Sequence, residues 1–469
     1  MKSFIHIQDL TASCEGRWLS TPVTEFQSVG TDTRKSLSGQ LFVALKGDSH
    51  DAHDYLDQAV AAGATGLVLH RWDERFEPFK KHASIFLVND TLSALQKLGR
   101  YRRQQWNKPI IAITGSNGKT TTKEFTAQIL SAYKKVHYNQ GSFNNHWGLP
   151  LTLLGLQPDH EVAICEMGMN HLKEIETLVT LAEPNIVGVT MVGRAHLEGL
   201  GSIEAVARAK EEIYATPNEK LHAGVFNLDN PWTQDMMGRF QNPSRKVFTF
   251  SSYKDDADVV FRIQEMTLEG MLISARIMNH QQNLSLPIFG SQNIYNLMFA
   301  ACAALAAGLT AEQILTALPR CKTIWGRNQR LTHSSGTEIL FDGYNANPDS
   351  QKALIDNLRL IPSSRPLIGV FGEMRELGAQ SPQLHKELGE LVSSIPFEHV
   401  FFVGNYGEEF REGFEKNMGP SKKLSLFKGV QPALTESLSR FFDRKPLVTI
   451  KGSRGVKLEQ ILKDLELLN

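Results

Sequence analysis

The sequence has few of the features that are typical of a secreted protein, a protein with a structural metal site or a membrane protein. Its four cysteines, Cys14, Cys165, Cys302 and Cys321, are scattered and form no CxxC pair. This spacing predicts neither a zinc site nor a disulfide framework. No apolar run approaches the roughly 20 residues that cross a bilayer, and the segment Met1–Leu10 lacks the apolar core of a signal peptide. We therefore expect a cytoplasmic protein without membrane insertion, with Cys165 and Cys302 as small core residues.

An excess of either charge is also missing, since Lys plus Arg and Asp plus Glu both number 50 and the formal net charge is zero. A neutral total does not predict a nucleic-acid or membrane-surface partner. We find no internal repeat and no low-complexity tract. The hydrophobic content of 41% is typical of a globular chain. At roughly 100–200 residues per domain, 469 residues predict about three domains.

Short apolar runs alternate with helical patterns along the chain, which predicts an α/β fold with mostly parallel sheets. Strands are expected at residues 40–45, 65–69, 84–88, 109–114, 161–165, 185–192, 223–228, 338–342, 366–371, 399–403 and 446–450, with a helix near 56–62. The basic and aromatic segment Tyr101–Lys108 precedes Pro109 and indicates a boundary. The alternation restarts after Gly326, as in a doubly wound domain. We predict three domains, at residues 1–106, 107–325 and 326–469.

The strongest motif is Thr114-Gly115-Ser116-Asn117-Gly118-Lys119-Thr120-Thr121, which follows a buried strand and opens a helix. That context favours a phosphate-binding loop over an ordinary glycine turn. Glycines let the backbone approach a phosphate, and the helix N-terminus supplies N–H groups and positive potential. Lys119 is suited to the β- and γ-phosphates and Thr120 to Mg²⁺. Only two residues separate the glycines, where the common phosphate loop has four, so a standard kinase or GTPase is not expected.

Two further side chains follow predicted strands, where ligands bind in parallel sheets. Glu166 ends the run 161–165, and a carboxylate there suits Mg²⁺; by itself it would pass for a solvated loop glutamate. His196 follows the run 185–192, although a lone histidine is usually a satisfied polar group. Lys210, taken alone, has the pattern of an ordinary surface-helix lysine.

The ordered set of motifs resembles the Mur ligases over nearly the whole chain. The resemblance rests on the phosphate loop and on these further runs: Asp32-Thr33-Arg34, Leu41-Phe42-Val43-Ala44, Asn144-Asn145, Glu166-Met167-Gly168, Ala195-His196-Leu197, Ala209-Lys210, Gly290–Asn296, Gly326-Arg327, Asp342–Pro348 and Lys451–Gly455. It implies an N-terminal domain for a UDP-linked substrate, a central ATPase domain and a C-terminal Rossmann-like domain. It also implies ATP-dependent amide formation in peptidoglycan precursor synthesis, with ATP and Mg²⁺ as cofactors and a monomeric enzyme.

Within the family, two runs resemble the branch that joins D-alanyl-D-alanine to UDP-N-acetylmuramoyl-tripeptide. They are Tyr344-Asn345-Ala346-Asn347-Pro348 and Gly372–Gly378. The ligase for the third residue typically has an Ala-His run at the first position, and folylpolyglutamate synthases an Ala-His-Asn run. Two departures, Gln292 in place of the usual His and Trp147 in place of a smaller aliphatic residue, leave the expected reaction unchanged.

The resemblance also implies roles for individual residues. It makes Glu166 and His196 metal ligands, and also Lys210, after CO₂ has converted that lysine to an anionic carbamate. It makes Asn293 and Asp342 the contacts to adenine and ribose, and Arg327 a contact to phosphate. Asn144, Asn145, Thr33, Arg34, Asn345 and Asn347 become substrate contacts. An arginine suits the diphosphate of a UDP-sugar because its guanidinium matches phosphate geometry.

Two alternatives remain at this stage. A folylpolyglutamate synthase is disfavoured by the domain that precedes the phosphate loop and by Asn345-Ala346-Asn347. A nucleotide-binding module without catalysis is disfavoured because Lys119, Thr120, Glu166, His196 and Lys210 are all present.

Overall fold

Three main sheets, each built from a different stretch of the chain, organise the protein. The computed structural model describes residues 4–47, 50–141, 143–361, 365–416 and 423–468, so Met1–Ser3 of the N-terminal segment lie outside the described residues. The α/β architecture with mostly parallel sheets is confirmed. The domain boundaries near residues 107 and 326 stay predictions. None of the helices described is long and apolar enough to cross a membrane.

The N-terminal unit contains a five-stranded sheet of order β2-β7-β6-β5-β4, in which only the β2–β7 pair is antiparallel. Its strands are β1 (Ile5–His6), β2 (Gly16–Ser20), β3 (Glu25–Phe26), β4 (Val29–Gly30), β5 (Leu41–Val43), β6 (Gly66–Leu69) and β7 (Ser84–Val88). Its helices are α1 (Ile7–Ser13), α2 (Leu56–Ala61) and α3 (Thr91–Trp106). The predicted strands at 40–45, 65–69 and 84–88 and the helix near 56–62 are confirmed, with slightly different ends.

The central unit is built on a nine-stranded sheet of order β16-β15-β14-β13-β12-β11-β8-β10-β9. Its strands are β8 (Ile110–Thr114), β9 (Val136–Tyr138), β10 (Val162–Glu166), β11 (Ile186–Val189), β12 (Ala223–Asn227), β13 (Lys246–Ser251), β14 (Val259–Met266), β15 (Met271–Ile277) and β16 (His280–Leu286). Its helices are α4 (Lys119–Ser131), α5 (Gly148–Leu154), α6 (Glu174–Ala182), α7 (Leu197–Leu200), α8 (Ile203–Ala215), α9 (Pro231–Phe240), α10 (Gln292–Ala306) and α11 (Ala311–Ala317).

The C-terminal unit has a six-stranded sheet of order β17-β18-β22-β19-β20-β21, parallel except for β17. Its strands are β17 (Gln329–Thr332), β18 (Glu338–Asp342), β19 (Leu367–Gly372), β20 (His399–Val403), β21 (Leu424–Phe427) and β22 (Leu447–Lys451). Its helices are α12 (Pro348–Leu360), α13 (Ser381–Ser393), α14 (Gly407–Glu415), α15 (Pro432–Ser439) and α16 (Glu459–Asp464). The four strands predicted here are confirmed within one residue at either end.

The antiparallel extension β14–β16 of the central sheet was not predicted, since no strand was expected between Leu228 and Gly290. Residues along β15 alternate between buried and more exposed positions. Such alternation arises where only one face of a sheet packs on the core. The continuous apolar runs that revealed the parallel strands are therefore missing here.

The segment Tyr101–Lys108, expected to be a boundary, is mostly the end of helix α3. This helix continues to Trp106 and ends at Asn107, whose backbone is left-handed (φ +41°). Arg103 is fully buried, and its Nε donates to the carbonyl oxygen of Ala182 at the end of α6 (2.7 Å). Arg103 therefore joins the end of α3 to the central unit. The expectation that Cys165 and Cys302 are core residues is confirmed.

The sheet order places three strand ends side by side. Strands β11, β8 and β10 are adjacent and parallel. Their carboxyl ends therefore lie at one edge of the sheet, where parallel α/β sheets bind ligands. The ends of these strands and the segments that follow them carry the phosphate-loop motif, Glu166 and His196.

Candidate active site

The phosphate-loop motif forms a tight turn between the buried strand β8 and helix α4. Gly115 (φ +153°) and Gly118 (φ +80°) adopt backbone conformations that side chains rarely tolerate. A Cβ at Gly115 would lie 1.8 Å from Thr190 Oγ1, and one at Gly118 would lie 2.2 Å from Asn296 Oδ1. The hydroxyl of Thr190 donates to the carbonyl oxygen of Asn117 (2.6 Å). The glycines are thus required both by the backbone and by close packing.

Lys119 and Thr120 open helix α4 and face a cavity. Lys119 Nζ donates to the carbonyl oxygen of Gly115 (2.8 Å), so its side chain folds back over the loop. Burial lowers the pKa of Lys119, while the charge of Glu166 acts in the opposite direction. Thr120 is buried in the same first turn. A cation and a hydroxyl are therefore placed where the loop would hold phosphates.

Glu166 is the last residue of β10 and is buried, with 2% of its surface exposed. Taken alone, Glu166 was interpreted as a solvated loop glutamate, and that interpretation is wrong. Its Oε1 accepts a hydrogen bond from Asn144 Nδ2 (2.8 Å), and its backbone N–H donates to Asn139 Oδ1 (2.9 Å). Its Oε2 has no hydrogen-bond partner among the described residues. A buried carboxylate oxygen without a donor is costly unless a ligand satisfies it.

His196 lies in the segment between β11 and α7 and has a left-handed backbone (φ +57°). Its Nδ1 lies 3.0 Å from Oε2 of Glu376, which belongs to the C-terminal unit. This contact is short, but it is not counted as a hydrogen bond, so Nδ1 has no hydrogen-bond partner among the described residues. Burial lowers the pKa of His196, and the contact with Glu376 opposes that shift. A neutral imidazole can act as a metal ligand.

Lys210 lies on α8 with 1% of its surface exposed. The interpretation of Lys210 as an ordinary surface-helix lysine is therefore wrong. Helix α8 is covered by α6, α7 and α9 as well as by the sheet. Burial and the nearby charge of Lys119 lower the pKa of Lys210 well below its ordinary value. Both effects favour the neutral amine, the form that reacts with CO₂.

A cavity of about 340 Å³ joins these elements to the C-terminal unit. Its lining includes ten of the residues predicted from the sequence: Ser116, Lys119, Thr120, Asn144, Asn145, Glu166, His196, Arg327, Asn345 and Asn347. Gly115, Asn117, Gly118 and Thr121 lie in the same loop and helix. The remaining predicted residues are Thr33, Arg34, Lys210, Asn293 and Asp342, which do not line the cavity.

Thr33 and Arg34, which are predicted to contact the UDP-linked substrate, lie in the N-terminal unit. The Arg34 side chain is 87% exposed, and its Nε lies 2.8 Å from Asp32 Oδ1. The hydroxyl of Thr33 contacts Gln58 Oε1 (3.4 Å). Neither residue is brought to the cavity, so any ligand that contacts both places must extend from one to the other.

The predicted adenine and ribose contacts already have partners. Asn293 Nδ2 donates to the carbonyl oxygen of Phe289 (2.7 Å), and its Oδ1 accepts from Asn296 Nδ2 (3.1 Å). Asp342 Oδ2 lies 2.5 Å from Lys451 Nζ in a buried ion pair. A nucleotide that used these side chains would share or replace those bonds.

Several cavity residues were not assigned a role from the sequence. They are His146, Gly168, Met169, Asn170, Glu174, Ala195, Tyr344, Ala346, Arg375, Glu376 and Leu377. Arg375, Glu376 and Leu377 belong to the run Gly372–Gly378, which the resemblance had singled out without a chemical reason. Glu376 has a left-handed backbone (φ +64°), which the sequence did not predict.

Arg327 lies over the ring of Tyr344, with 4.4 Å between the guanidinium carbon and the ring centroid. Its Nε has no hydrogen-bond partner in the described part of the chain. Such a stacked guanidinium keeps donors available for an anion that enters the cavity.

The donor set of the cavity fits a hard divalent cation. Mg²⁺ prefers oxygen ligands and often binds through one or two carboxylates and substrate phosphates. The unpartnered Oε2 of Glu166 and the hydroxyl of Thr120 offer oxygen ligands among the residues that line the cavity, and His196 adds a nitrogen ligand. The residues present therefore fit a magnesium site beside the phosphate loop.

Comparisons with known proteins agree with these features. The sequence pattern described as Mur ligase middle domain matches residues 113–304, and that described as Mur ligase, glutamate ligase domain matches residues 326–454. The chain is 34% identical to UDP-N-acetylmuramoyl-tripeptide–D-alanyl-D-alanine ligase of Bacillus subtilis (strain 168), over 94% of this chain and 93% of that protein.

Two solved structures are also similar over most of both chains. The crystal structure of MurF from Acinetobacter baumannii superposes with a TM-score of 0.87 at 29% identity and covers 99% of each chain. MurF ligase from Thermotoga maritima in complex with ADP superposes with a TM-score of 0.79 at 26% identity, over 94% of this chain and 98% of that one.

Proposed function

This chain belongs to the Mur ligase family, and from that membership we propose that it joins D-alanyl-D-alanine to UDP-N-acetylmuramoyl-tripeptide with conversion of ATP to ADP and phosphate. The observation that carries this proposal is the single cavity shared by the phosphate loop, the buried carboxylate of Glu166 and the Asn345–Asn347 run of the C-terminal unit. The product belongs to peptidoglycan precursor synthesis.

A carboxylate does not form an amide with an amine at neutral pH without activation. The terminal phosphoryl group of ATP is first transferred to a carboxylate oxygen of the tripeptide, and ADP leaves. The amine of the dipeptide then attacks the acyl carbon, the amide bond forms, and phosphate leaves with the oxygen that carried it. Catalysis of both steps depends mainly on positioning and on neutralising phosphoryl charge.

Lys119 and Arg327 are the cations that we assign to the phosphates, with backbone N–H groups from Gly115 to Thr121 around them. Anionic phosphates in the cavity would raise the pKa of Lys119, as the charge of Glu166 does, since a nearby negative charge favours the charged amine. We assign Thr120, Glu166, His196 and the carbamate of Lys210 to Mg²⁺, which when bound neutralises phosphate charge. The burial of Lys210 supports a carbamate because the neutral amine is required to form it.

We assign the acceptor to Asn144 and Asn145 at the cavity and to Thr33 and Arg34 in the N-terminal unit. Asn345 and Asn347 are assigned to the substrates on the C-terminal side. Asn293 and Asp342 remain our assignments for adenine and ribose. Because the ligase uses ATP and a soluble nucleotide-linked acceptor, the cytoplasm is the proposed compartment, and a monomer is the proposed form.

The experiment is a ligation assay with purified protein, ATP, Mg²⁺, UDP-N-acetylmuramoyl-tripeptide and D-alanyl-D-alanine. Phosphate release is followed, and the product is identified by mass. We expect release to require the dipeptide, and Lys119→Ala to abolish it while the chain stays folded. Equal activity with a single amino acid would indicate a sister ligase, and glutamate addition to a folate would indicate a folylpolyglutamate synthase. Nucleotide binding without ligation of any acceptor would indicate a module that lacks catalysis.

A further inference from the structure

The loop Gly193–His196, which carries the proposed metal ligand His196, is held by a carboxylate from the C-terminal unit. Asp349, in the first turn of α12, accepts a hydrogen bond at Oδ2 from the backbone N–H of Arg194 (2.7 Å). Its Oδ1 lies 3.3 Å from Arg194 Nε. One side chain therefore binds both the backbone and the side chain of the residue two positions before His196.

Gly193 makes this approach possible. A Cβ at Gly193 would lie 2.4 Å from Asp349 Oδ2 and 2.8 Å from the terminal methyl group of Met191. Any larger residue at this position would displace the carboxylate from the backbone N–H that it accepts. The loop is thus shaped to receive the Asp349 side chain.

The same turn of α12 also contacts the phosphate loop. Asn347 is the N-cap of α12, and its Nδ2 donates to Asn117 Oδ1 (2.7 Å) while its Oδ1 accepts from Asn117 Nδ2 (3.3 Å). The phosphate loop and the Gly193–His196 loop are themselves joined, because Ser116 Oγ accepts from the backbone N–H of Gly193 (2.9 Å). One helical turn therefore holds both loops that form the nucleotide side of the cavity.

His196 needs such support because its backbone is left-handed. A residue other than glycine in this conformation costs free energy and persists where surrounding contacts hold it. The α7 helix that follows is only four residues long and cannot fix the loop alone. Glu376 contacts the imidazole from the C-terminal unit, and Asp349 holds the backbone two residues earlier.

We propose that Asp349 is a positioning residue for the ligase reaction. It fixes the loop that aims His196 at the phosphate side of the cavity, so the metal-binding set is complete only when the C-terminal unit is docked. This inference rests on the proposed function, because that function assigns His196 to Mg²⁺. Contacts that orient a metal ligand without touching the metal typically change metal affinity or activity about 10–100-fold when removed.

Three variants test the proposal: Asp349→Ala, Gly193→Ala and the double variant. Asp349→Ala removes the carboxylate, and Gly193→Ala displaces it without removing any charge. We expect each single variant to weaken Mn²⁺ binding to the ADP complex about 10–100-fold, measured by electron paramagnetic resonance without turnover, and to lower kcat more than it raises the KM of the dipeptide. The double variant should be no worse than Asp349→Ala, because both changes break one contact.

Glu387→Gln is the matched control. Glu387 is also acidic, also belongs to the C-terminal unit and lies 3.8 Å from Arg194 Nη1, but it does not bind the loop backbone. This variant should keep Mn²⁺ affinity and kcat near those of the unaltered protein. An equal loss in Glu387→Gln would overturn the proposal, since charge near Arg194 would then explain the effect.

Unchanged Mn²⁺ affinity in Asp349→Ala, or losses that multiply in the double variant, would also overturn the proposal. If Asp349→Ala does not fold, as judged by its melting temperature, Gly193→Ala decides the question by the same measurements. Failure of the unaltered protein to ligate would reject the proposed function, whereas the Mn²⁺ measurement reports on Asp349 without any ligation.

Discussion

At the scale of single residues, burial decides the chemistry of Lys210. An exposed lysine is charged and strongly hydrated, whereas a buried one without a paired carboxylate is favoured in its neutral form. Lys210 is fully buried, and the charge that acts on it is the cation of Lys119. A carbamate would turn this buried amine into an anion suited to a metal.

Replacing Lys210 tests that role. Lys210→Met keeps the side-chain volume and should therefore stay folded, but ligation should be largely lost because no amine remains to react with CO₂. Labelled bicarbonate should give a carbamate resonance in the unaltered protein and none in Lys210→Met. In Lys210→Ala, formate or acetate should restore part of the activity by filling the empty ligand position, whereas bicarbonate should not. Full activity of Lys210→Met would reject the carbamate role.

Glu166 illustrates a second effect of position on a single residue. Asn144 donates to one carboxylate oxygen, and the other has no donor in the described part of the chain. The hydrogen bond fixes the orientation of the carboxylate, while the second oxygen stays available. Asn144 therefore contributes to the site by orienting Glu166 as well as through its proposed substrate contact.

At the scale of secondary-structure elements, Tyr214 of α8 joins two strands of the central sheet. Its hydroxyl accepts from the backbone N–H of Val189 in β11 (2.9 Å) and donates to the carbonyl oxygen of Val225 in β12 (2.8 Å). Its ring stacks on Phe226, with 4.7 Å between the centroids. The helix that carries Lys210 is thereby fixed to the strand that leads towards His196.

Removing this hydroxyl should destabilise the protein. Tyr214→Phe leaves a buried backbone donor and acceptor unpaired, at a cost of about 1–3 kcal/mol in the free energy of unfolding, measured by urea denaturation. The control is Tyr133→Phe, because Tyr133 is exposed and its hydroxyl donates to the carbonyl oxygen of Gln313 (3.1 Å) at the surface. That variant should stay within about 0.5 kcal/mol of the unaltered protein. Equal losses in both variants would contradict the bridging role of Tyr214.

At the scale of the whole molecule, histidine burial predicts how stability depends on pH. Burial is the largest cause of a lowered pKa at these buried or half-buried histidines: His53, His137, His160, His196, His385 and His399. In the unfolded chain a histidine binds its proton near pH 6.5, so the unfolded state takes up protons first as the pH falls. Protonation then favours the unfolded state until the folded-state pKa is reached.

The histidine contribution to the free energy of unfolding should therefore be nearly constant from about pH 8 to about pH 7 and should fall as the pH is lowered from about 6.5 to about 5. Each additional proton bound by the unfolded state contributes a slope of about 1.4 kcal/mol per pH unit. Urea denaturation midpoints across this range would measure the effect. Stability that is constant or rises on acidification would contradict it.

The sequence predicted those features that depend on a short stretch of chain. The phosphate loop was identified because a Gly-rich run followed by Lys-Thr-Thr stands between an apolar strand and a helix. Gly115 and Gly118 do adopt positive φ angles that other residues rarely tolerate. Most of the parallel strands were predicted, because strands buried on both faces are continuously apolar. The parallel strands β4, β9, β13 and β21 were not predicted. The family membership followed from ordered motifs, and the comparisons confirm it.

Only the tertiary structure decided which side chains meet and which are buried. Asp349 and Arg194 are 155 residues apart in sequence, and Asn117 and Asn347 are 230 apart. No local pattern reports such pairs. The burial of Lys210 depends on three neighbouring helices. Whether Asn293 and Asp342 can contact a nucleotide depends on the hydrogen bond and the ion pair that they form in the folded chain. Local sequence determines backbone geometry and amphipathic faces, whereas the environment of a charged group is determined by residues that folding brings to it.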